Sequence, residues 1–78
     1  MIYGNLKQVK NDEVIYYWGT SINDITGEVK FYSLNKNPEI LFQPKTSVAD
    51  FYLVIKLYVK YKNDFFSGVY PQKISFEY

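Results

Sequence analysis

Hydrophobic and polar residues alternate along most of the chain, in short segments separated by residues that favour turns. A two-residue period of this kind is typical of β-strands that bury one face. Asn, Asp, Gly and Pro between the segments supply the usual turn chemistry. In the last segment Ile74, Phe76 and Tyr78 alternate with polar neighbours and are expected to point inward. The pattern predicts strands at residues 2–9, 14–19, 28–34, 39–43 and 73–78.

Residues 51–62, FYLVIKLYVKYK, can be read with the period of a strand or with that of a helix. Alternate residues from Phe51 to Tyr61 are apolar, and β-branched and aromatic residues are frequent, as in a strand. A strand of this length would be about twice as long as usual, and Tyr52 and Tyr58 would interrupt its polar face. If the segment is a strand, the fold is an all-β barrel or sandwich.

The residues at the ends of this segment favour the helix. Ser47 can cap a first turn that has Asp50 at its third position, an acidic variant of the capping box. Lys60 and Lys62 then fall in the last turn, where cations interact favourably with the helix dipole. We therefore predict a helix over residues 47–62, with a stop at NDFFSG. Apolar residues at helical spacing form one broad stripe, made of Val48, Phe51, Tyr52, Ile55, Tyr58 and Val59.

These elements predict a small two-layer α+β domain. The first four strands form an antiparallel meander, and the helix runs back across one face of the sheet. The last strand can then pair beside the first, which gives the order 5-1-2-3-4 without crossing connections. The sheet is mostly antiparallel, with four to five strands, and a single helix covers one face. The other face must be polar or be covered by another molecule.

A chain of 78 residues forms one domain, residues 1–78, whose small core gives it marginal stability. Cysteine and histidine are absent, which excludes a disulfide, a thiolate-bound metal and the commonest metal ligand. Packing must therefore supply the stability. The sequence provides nine Tyr, six Phe and one Trp for this purpose.

The formal charge is only +1, and all nine cations are lysine. A chain without arginine lacks the planar group that binds phosphate or guanine through two hydrogen bonds. The first ten residues contain no uninterrupted apolar segment like that of a signal peptide. Apolar runs are also far shorter than the ~20 residues of a spanning helix. We expect a soluble cytoplasmic protein without a membrane partner.

Several short motifs resemble small uncharacterised proteins of low-GC Gram-positive bacteria. They are YYWG at 16–19, GEV at 27–29, and the helix-like stretch followed by YPQKISFEY. The resemblance spans most of the chain. It implies a bacterial protein that ends in a helix and a strand, and it implies no activity.

Few groups in the sequence are suited to catalysis. Residues 45–47 place hydroxyls beside a lysine, but Ser47 is the predicted helix cap and no other part of a catalytic site accompanies it. Carboxylates are paired near two turns, where solvation and bonding to the local backbone explain them better than acid–base chemistry or calcium binding. The pairs are Asp12 with Glu13 and Asp24 with Glu28. We expect no enzymatic activity, no cofactor and no metal site.

The aromatic content, 21% of residues, exceeds what one helix and one sheet comfortably enclose. Tyrosine suits interfaces because its ring is apolar and its hydroxyl polar. We therefore predict a protein–protein interaction or self-association module that binds a second copy or an unknown protein. The edge strand at 39–43 would offer unpaired backbone groups to an added strand. The candidate surface residues are Tyr3, Tyr16, Tyr17, Tyr32 and Leu41.

Binding of single-stranded nucleic acid is the alternative function. Tyrosine and lysine on one sheet face can stack bases and follow a phosphate backbone. The residues that could share the face opposite the helix are Tyr3, Lys7, Lys30 and Tyr32. Eight acidic residues nearly cancel the lysines, however, so few counterions would be released on binding. We therefore do not expect a nucleic-acid partner.

Overall fold

Five strands and one helix form the part of the chain that the computed structural model describes, residues 1–33, 36–46 and 51–77. In chain order they are β1 (Ile2–Lys10), β2 (Glu13–Gly19), β3 (Gly27–Tyr32), β4 (Glu39–Phe42), α1 (Phe51–Phe66) and β5 (Lys73–Phe76). Leu34 and Tyr78, at the ends of two predicted strands, lie outside the described residues. All five predicted strands are present with small differences in their ends.

The sheet has the order β4-β3-β2-β1-β5, and every neighbouring pair is antiparallel. This order confirms the predicted meander with the last strand beside the first. The alternative of an all-β fold is wrong, because residues 51–62 lie within α1. The chain is a small α+β domain. Within the described ranges, no helix is long and apolar enough to cross a membrane.

Helix α1 ends later than the sequence indicates, at Phe66 and not at residue 62. Lys60 and Lys62 therefore precede the last turn and do not lie in it. Gly68 ends the helix with a φ of 78°. The amide of Gly68 donates to the carbonyl of Phe65 (3.1 Å), and the amide of Val69 donates to that of Asp64 (2.8 Å). These two bonds make a Schellman motif. The predicted cap, Ser47 with Asp50, lies outside the described residues.

The core lies between the sheet and α1 and consists largely of rings. Phe65 of the helix is at its centre, with its ring centroid 5.3 Å from that of Phe31 and 6.0 Å from that of Tyr16. Ring packing of this kind confirms that aromatic residues build the core. The buried apolar residues are Ile2, Val14, Tyr16, Trp18, Val29, Phe31, Val54, Leu57, Tyr58, Phe65 and Ile74.

The predicted apolar stripe is not the side of α1 that packs against the sheet. Phe51, Tyr52 and Val59 are exposed, Ile55 is half-buried, and only Tyr58 is buried; Val48 lies outside the described residues. The wrong side was predicted because both sides of α1 are apolar, and the predicted end at residue 62 left out Phe65. The residues that face the core are Val54, Leu57, Tyr58, Tyr61 and Phe65. Helix α1 thus has two apolar sides, and the sheet covers one.

Candidate interaction surface

Three predicted surface tyrosines, Tyr3, Tyr17 and Tyr32, lie on the sheet face opposite α1, in the positions that alternate with buried residues. Tyr16 does not belong to this surface. It points into the core between Val14 and Trp18, because adjacent residues of a strand face opposite sides. That assignment is therefore corrected.

The Tyr16 hydroxyl is held inside the core by a hydrogen bond. It donates to the carbonyl of Pro71 over 2.6 Å, which links β2 to the segment before β5. Burial raises the pKa of Tyr16 above its ordinary value of 10.0. This side chain is consequently a structural group that contacts no solvent.

Charge pairs cover much of the outer sheet face. Lys7 Nζ lies 2.7 Å from a Glu28 carboxylate oxygen and 5.4 Å from the ring centroid of Tyr17. Its hydrogen bond to Glu28 raises the pKa of Lys7. Lys30 Nζ lies 3.5 Å from a carboxylate oxygen of Glu13. The face that the helix leaves open is therefore mixed and polar, and its two central lysines are paired with acids.

The paired carboxylates noted in the sequence have structural roles. Asp24 is buried and accepts hydrogen bonds from the hydroxyl of Thr26 (2.5 Å), from the amide of Thr46 (2.7 Å) and from the Thr46 hydroxyl. These bonds lower the pKa of Asp24 to about 2. They tie the β2–β3 loop to the segment after β4.

Two of the remaining candidates for chemistry, Asp12 and Glu13, also have partners within the fold. Asp12 accepts the Ser33 amide at its backbone carbonyl (2.8 Å), and Glu13 pairs with Lys30. Ser47 lies outside the described residues, so its pairing with Lys45 is not described. Within the described ranges, no group of three or more acidic residues could hold a metal ion.

An apolar groove with a volume of about 490 Å³ lies between the outer side of α1 and strand β5. We call it the α1–β5 groove. Its apolar residues come from two successive turns of the helix and from the last strand. Tyr52 and Val59 are 61% and 55% exposed. The residues of the groove are Tyr52, Ile55, Lys56, Val59, Lys60 and Phe76.

Two lysines lie over the α1–β5 groove. Lys56 Nζ is 4.9 Å from the ring centroid of Tyr52 and 5.9 Å from that of Phe76. Lys60 Nζ donates to the Ser75 carbonyl over 2.7 Å. Among the described residues that line the groove there is no carboxylate. The groove thus combines apolar side chains with two cations.

Helix α1 also occupies the backbone groups of Ser75 on the free edge of β5. The Tyr61 hydroxyl donates to the carbonyl of Ser75 (3.3 Å) and accepts from its amide (3.2 Å), and Lys60 donates to the same carbonyl. Side chains that occupy an edge in this way prevent the addition of another strand. A partner at the groove must therefore contact side chains and not the β5 backbone.

Strand β4 forms the opposite edge of the sheet and has β3 as its only neighbour among the described strands. Its four residues include Leu41, which is half-buried, and Phe42, which is 62% exposed. The pairing shifts register between Glu28 and Val29 of β3, which marks a bulge. The predicted edge position of residues 39–43 is confirmed for this strand. Leu41 and Phe42 thus lie on a strand whose outer edge pairs with no other described strand.

The α1–β5 groove was not predicted from the sequence. One signal for it was present, since α1 carries more apolar residues than one side of a helix can bury. The part that Phe76 has in the groove was not predicted, because the alternation in the last strand assigned its side chain to the core. Comparison with known proteins adds no further assignment, because the chain matches no protein-family model, no curated protein and no solved structure.

Proposed function

We propose that this chain is a non-catalytic protein-interaction domain and that the α1–β5 groove is its binding surface. The observation that carries the proposal is the second apolar side of α1, which points away from the core. Tyr52 and Val59 lie more than half exposed on that side, beside Phe76. Isolated exposed apolar residues are common, but apolar residues that converge on one concave surface mark interaction sites.

The composition of the groove supports this proposal. Aromatic residues near the centre of an interface contribute much of its affinity because they bury a large area with few rotatable bonds. Tyr52 and Phe76 can act in this way, together with Ile55 and Val59 of the same groove. The core does not need these exposed residues, because Val54, Leu57 and Phe65 already fill the side of α1 that faces the sheet.

Self-association through β4 is a second candidate. It is supported by the position of β4, which has β3 as its only neighbour among the described strands, whereas Tyr61 and Lys60 occupy the Ser75 backbone groups on the edge of β5. Phe42 would add an exposed ring to such a contact. Four residues form only a short edge, so this association is expected to be weak.

Nucleic-acid binding receives less support from the same structure. Lys7 and Lys30, which would have to bind phosphate, are paired with Glu28 and Glu13. A phosphate backbone would have to displace both carboxylates and then lie beside them. Like charges placed together in this way oppose binding.

A peptide selection tests the proposed function. A phage-displayed library of random peptides, long enough for four helical turns (about 15 residues), is selected on the immobilised protein. The same library is selected on Val59→Glu, which places a charge in the groove. Val69→Glu is the matched control, because Val69 is 53% exposed and Val59 55%, and Val69 is not among the groove residues.

We expect peptides that bind the native chain and Val69→Glu but not Val59→Glu. Circular dichroism and thermal melting of both variants establish that they remain folded. Peptides that bind all three proteins alike, or no enrichment at all, would show that the groove is not a binding surface.

A further inference from the structure

We infer that the partner of the α1–β5 groove is an acidic amphipathic helix, whose apolar residues enter the groove while its carboxylates bind Lys56 and Lys60. This inference rests on the proposed function and specifies the chemistry of the partner. It is carried by the charge of the groove, which is lined by two lysines and, within the described residues, by no acid.

The spacing of the lysines suits two carboxylates on one helical partner. Lys56 and Lys60 are four residues apart in α1, which places their backbones one turn, about 6 Å, apart along the axis. Acidic residues four apart on a partner helix have the same separation. Tyr52, Ile55 and Val59 lie on the same part of α1 as the two lysines. They would contact apolar residues at helical intervals on the partner. This is the usual recognition of an amphipathic helix by a groove.

Both ammonium groups retain the capacity to bind a carboxylate. An ammonium group has three N–H donors, and Lys60 directs a hydrogen bond to the carbonyl of Ser75. Lys56 lies over the rings of Tyr52 and Phe76, and a contact with ring faces does not occupy its N–H donors in a hydrogen bond. Charge-assisted hydrogen bonds are stronger than neutral ones, and the apolar surroundings reduce their screening by water.

A second copy of this chain fits the groove less well. In a two-fold symmetric contact the same surface of each copy meets itself. Lys56 and Lys60 would then lie against the same lysines of the other copy, and like charges at an interface oppose association. An anionic lipid surface is also disfavoured, since such surfaces are usually bound by clusters of about four to eight basic residues. The groove has two.

Two synthetic peptides of about 14 residues test the inference. Both have Leu at helical intervals on one side; one has Glu at the flanking positions and the other has Lys. Each is titrated into the ¹⁵N-labelled protein, and amide chemical shifts are followed. We expect the Glu peptide to bind at least about tenfold more tightly than the Lys peptide, from two charge-assisted contacts. The largest shifts should fall on residues 52–60 and on Phe76.

Charge reversal provides the decisive variants. Lys56→Glu should reduce the affinity for the Glu peptide and increase that for the Lys peptide, and Lys56→Glu combined with Lys60→Glu should reverse the preference. The single variant is included because Lys60 also bonds the β5 backbone, so its loss could disturb the fold. Amide spectra of the free variants show whether they are folded.

The outcomes separate this inference from the proposed function. If the selected phage peptides depend on the groove but are neutral or basic, or if both synthetic peptides bind equally, the acidic partner is wrong and the interaction domain stands. If no peptide depends on the groove, both are wrong. Binding to phosphatidylserine-containing vesicles that Val59→Glu abolishes, without binding of either peptide, would replace the protein partner with a lipid surface.

Discussion

The indole Nε1 of Trp18 donates a 3.1 Å hydrogen bond to the backbone carbonyl of Phe42. It connects the buried side of β2 with the last residue of the edge strand β4, across β3. Gly27 of β3 makes this possible because it has no side chain. A Cβ atom there would lie 2.7 Å from Trp18 Nε1 and 2.8 Å from the Phe42 oxygen. The position of β4, and thus of its exposed Phe42 ring, depends on this contact.

Replacement of Gly27 should therefore weaken the fold. Gly27→Ala forces apart a ring and two backbone atoms that cannot move independently, and we expect the free energy of unfolding to fall by about 1–3 kcal/mol. Urea denaturation measures the loss. Gly4→Ala is the comparison, since its Cβ would chiefly meet the side chain of Ile74, at 2.8 Å, which can adjust. A Gly27→Ala protein more stable than Gly4→Ala would show that the Trp18–Phe42 contact is not constrained in this way.

Asp24 should make stability depend on pH in the acidic range. Its folded pKa of about 2 lies below the ordinary 3.8, because Thr26 and Thr46 donate to the carboxylate. The unfolded state therefore binds more protons than the folded state between these values. The stability that Asp24 contributes is present above about pH 4 and is lost as the pH falls toward 2.

Urea midpoints measured across this pH range test the Asp24 prediction. Asp24→Asn should be less stable than the native chain at neutral pH and should show a flatter decline below about pH 4. Glu39→Gln, which removes an exposed carboxylate from β4, should leave the decline unchanged. Parallel declines for the native chain and Asp24→Asn would contradict the assignment.

Two buried tyrosines should respond oppositely to loss of the hydroxyl. Tyr58 stacks on Phe31, with centroids 5.9 Å apart, and its buried hydroxyl has no hydrogen-bond partner among the described residues. Tyr58→Phe should therefore leave stability unchanged or raise it, because an unsatisfied polar group is removed from the core. Tyr16→Phe should lower it by about 1 kcal/mol, because the Pro71 carbonyl loses its donor. Thermal and urea unfolding of the two variants give the comparison, and equal effects would contradict it.

The strands and their order could be predicted because they depend on local signals. Alternation over a few residues marks each strand, turn residues separate them, and short connections leave few possible orders. Val29 and Phe31 are buried as their alternation with Lys30 and Tyr32 predicts. The helix could also be recognised, since a strand through residues 51–62 would be unusually long.

The orientation of side chains was harder to predict where both sides of an element are apolar. In β2, alternation shows that Tyr16 and Tyr17 face opposite sides, but it cannot show which one faces the core. In α1, the core-facing side was decided by Phe65, one turn beyond the predicted end. The groove depends on the contact of α1 with Phe76, and the Lys7–Glu28 pair crosses from β1 to β3. Such contacts arise only when the sheet and the helix are assembled.

Association of the chain with itself should use the edge of β4 and should be weak. Light scattering over a concentration series is expected to show a mass that rises above the 9.3 kDa of one chain as concentration increases. Phe42→Lys should abolish the rise, since a lysine on an edge strand opposes the pairing of two such edges. The carbonyl that accepts from Trp18 belongs to the backbone, so this variant keeps the contact that positions β4.

Two further variants separate the edge of β4 from the other candidate surfaces. Val59→Glu places its charge in the α1–β5 groove and should leave the rise in mass intact, because Lys56 and Lys60 oppose a symmetric contact there. Tyr32→Ala changes the outer sheet face but removes no residue of the Lys7–Glu28 or Lys30–Glu13 pair. It should also have no effect on the rise in mass. A chain that remains monomeric at the highest concentration would remove self-association and leave the groove as the only proposed binding surface. A rise that Val59→Glu abolishes would instead place the contact between copies in the groove and would contradict the inferred acidic partner.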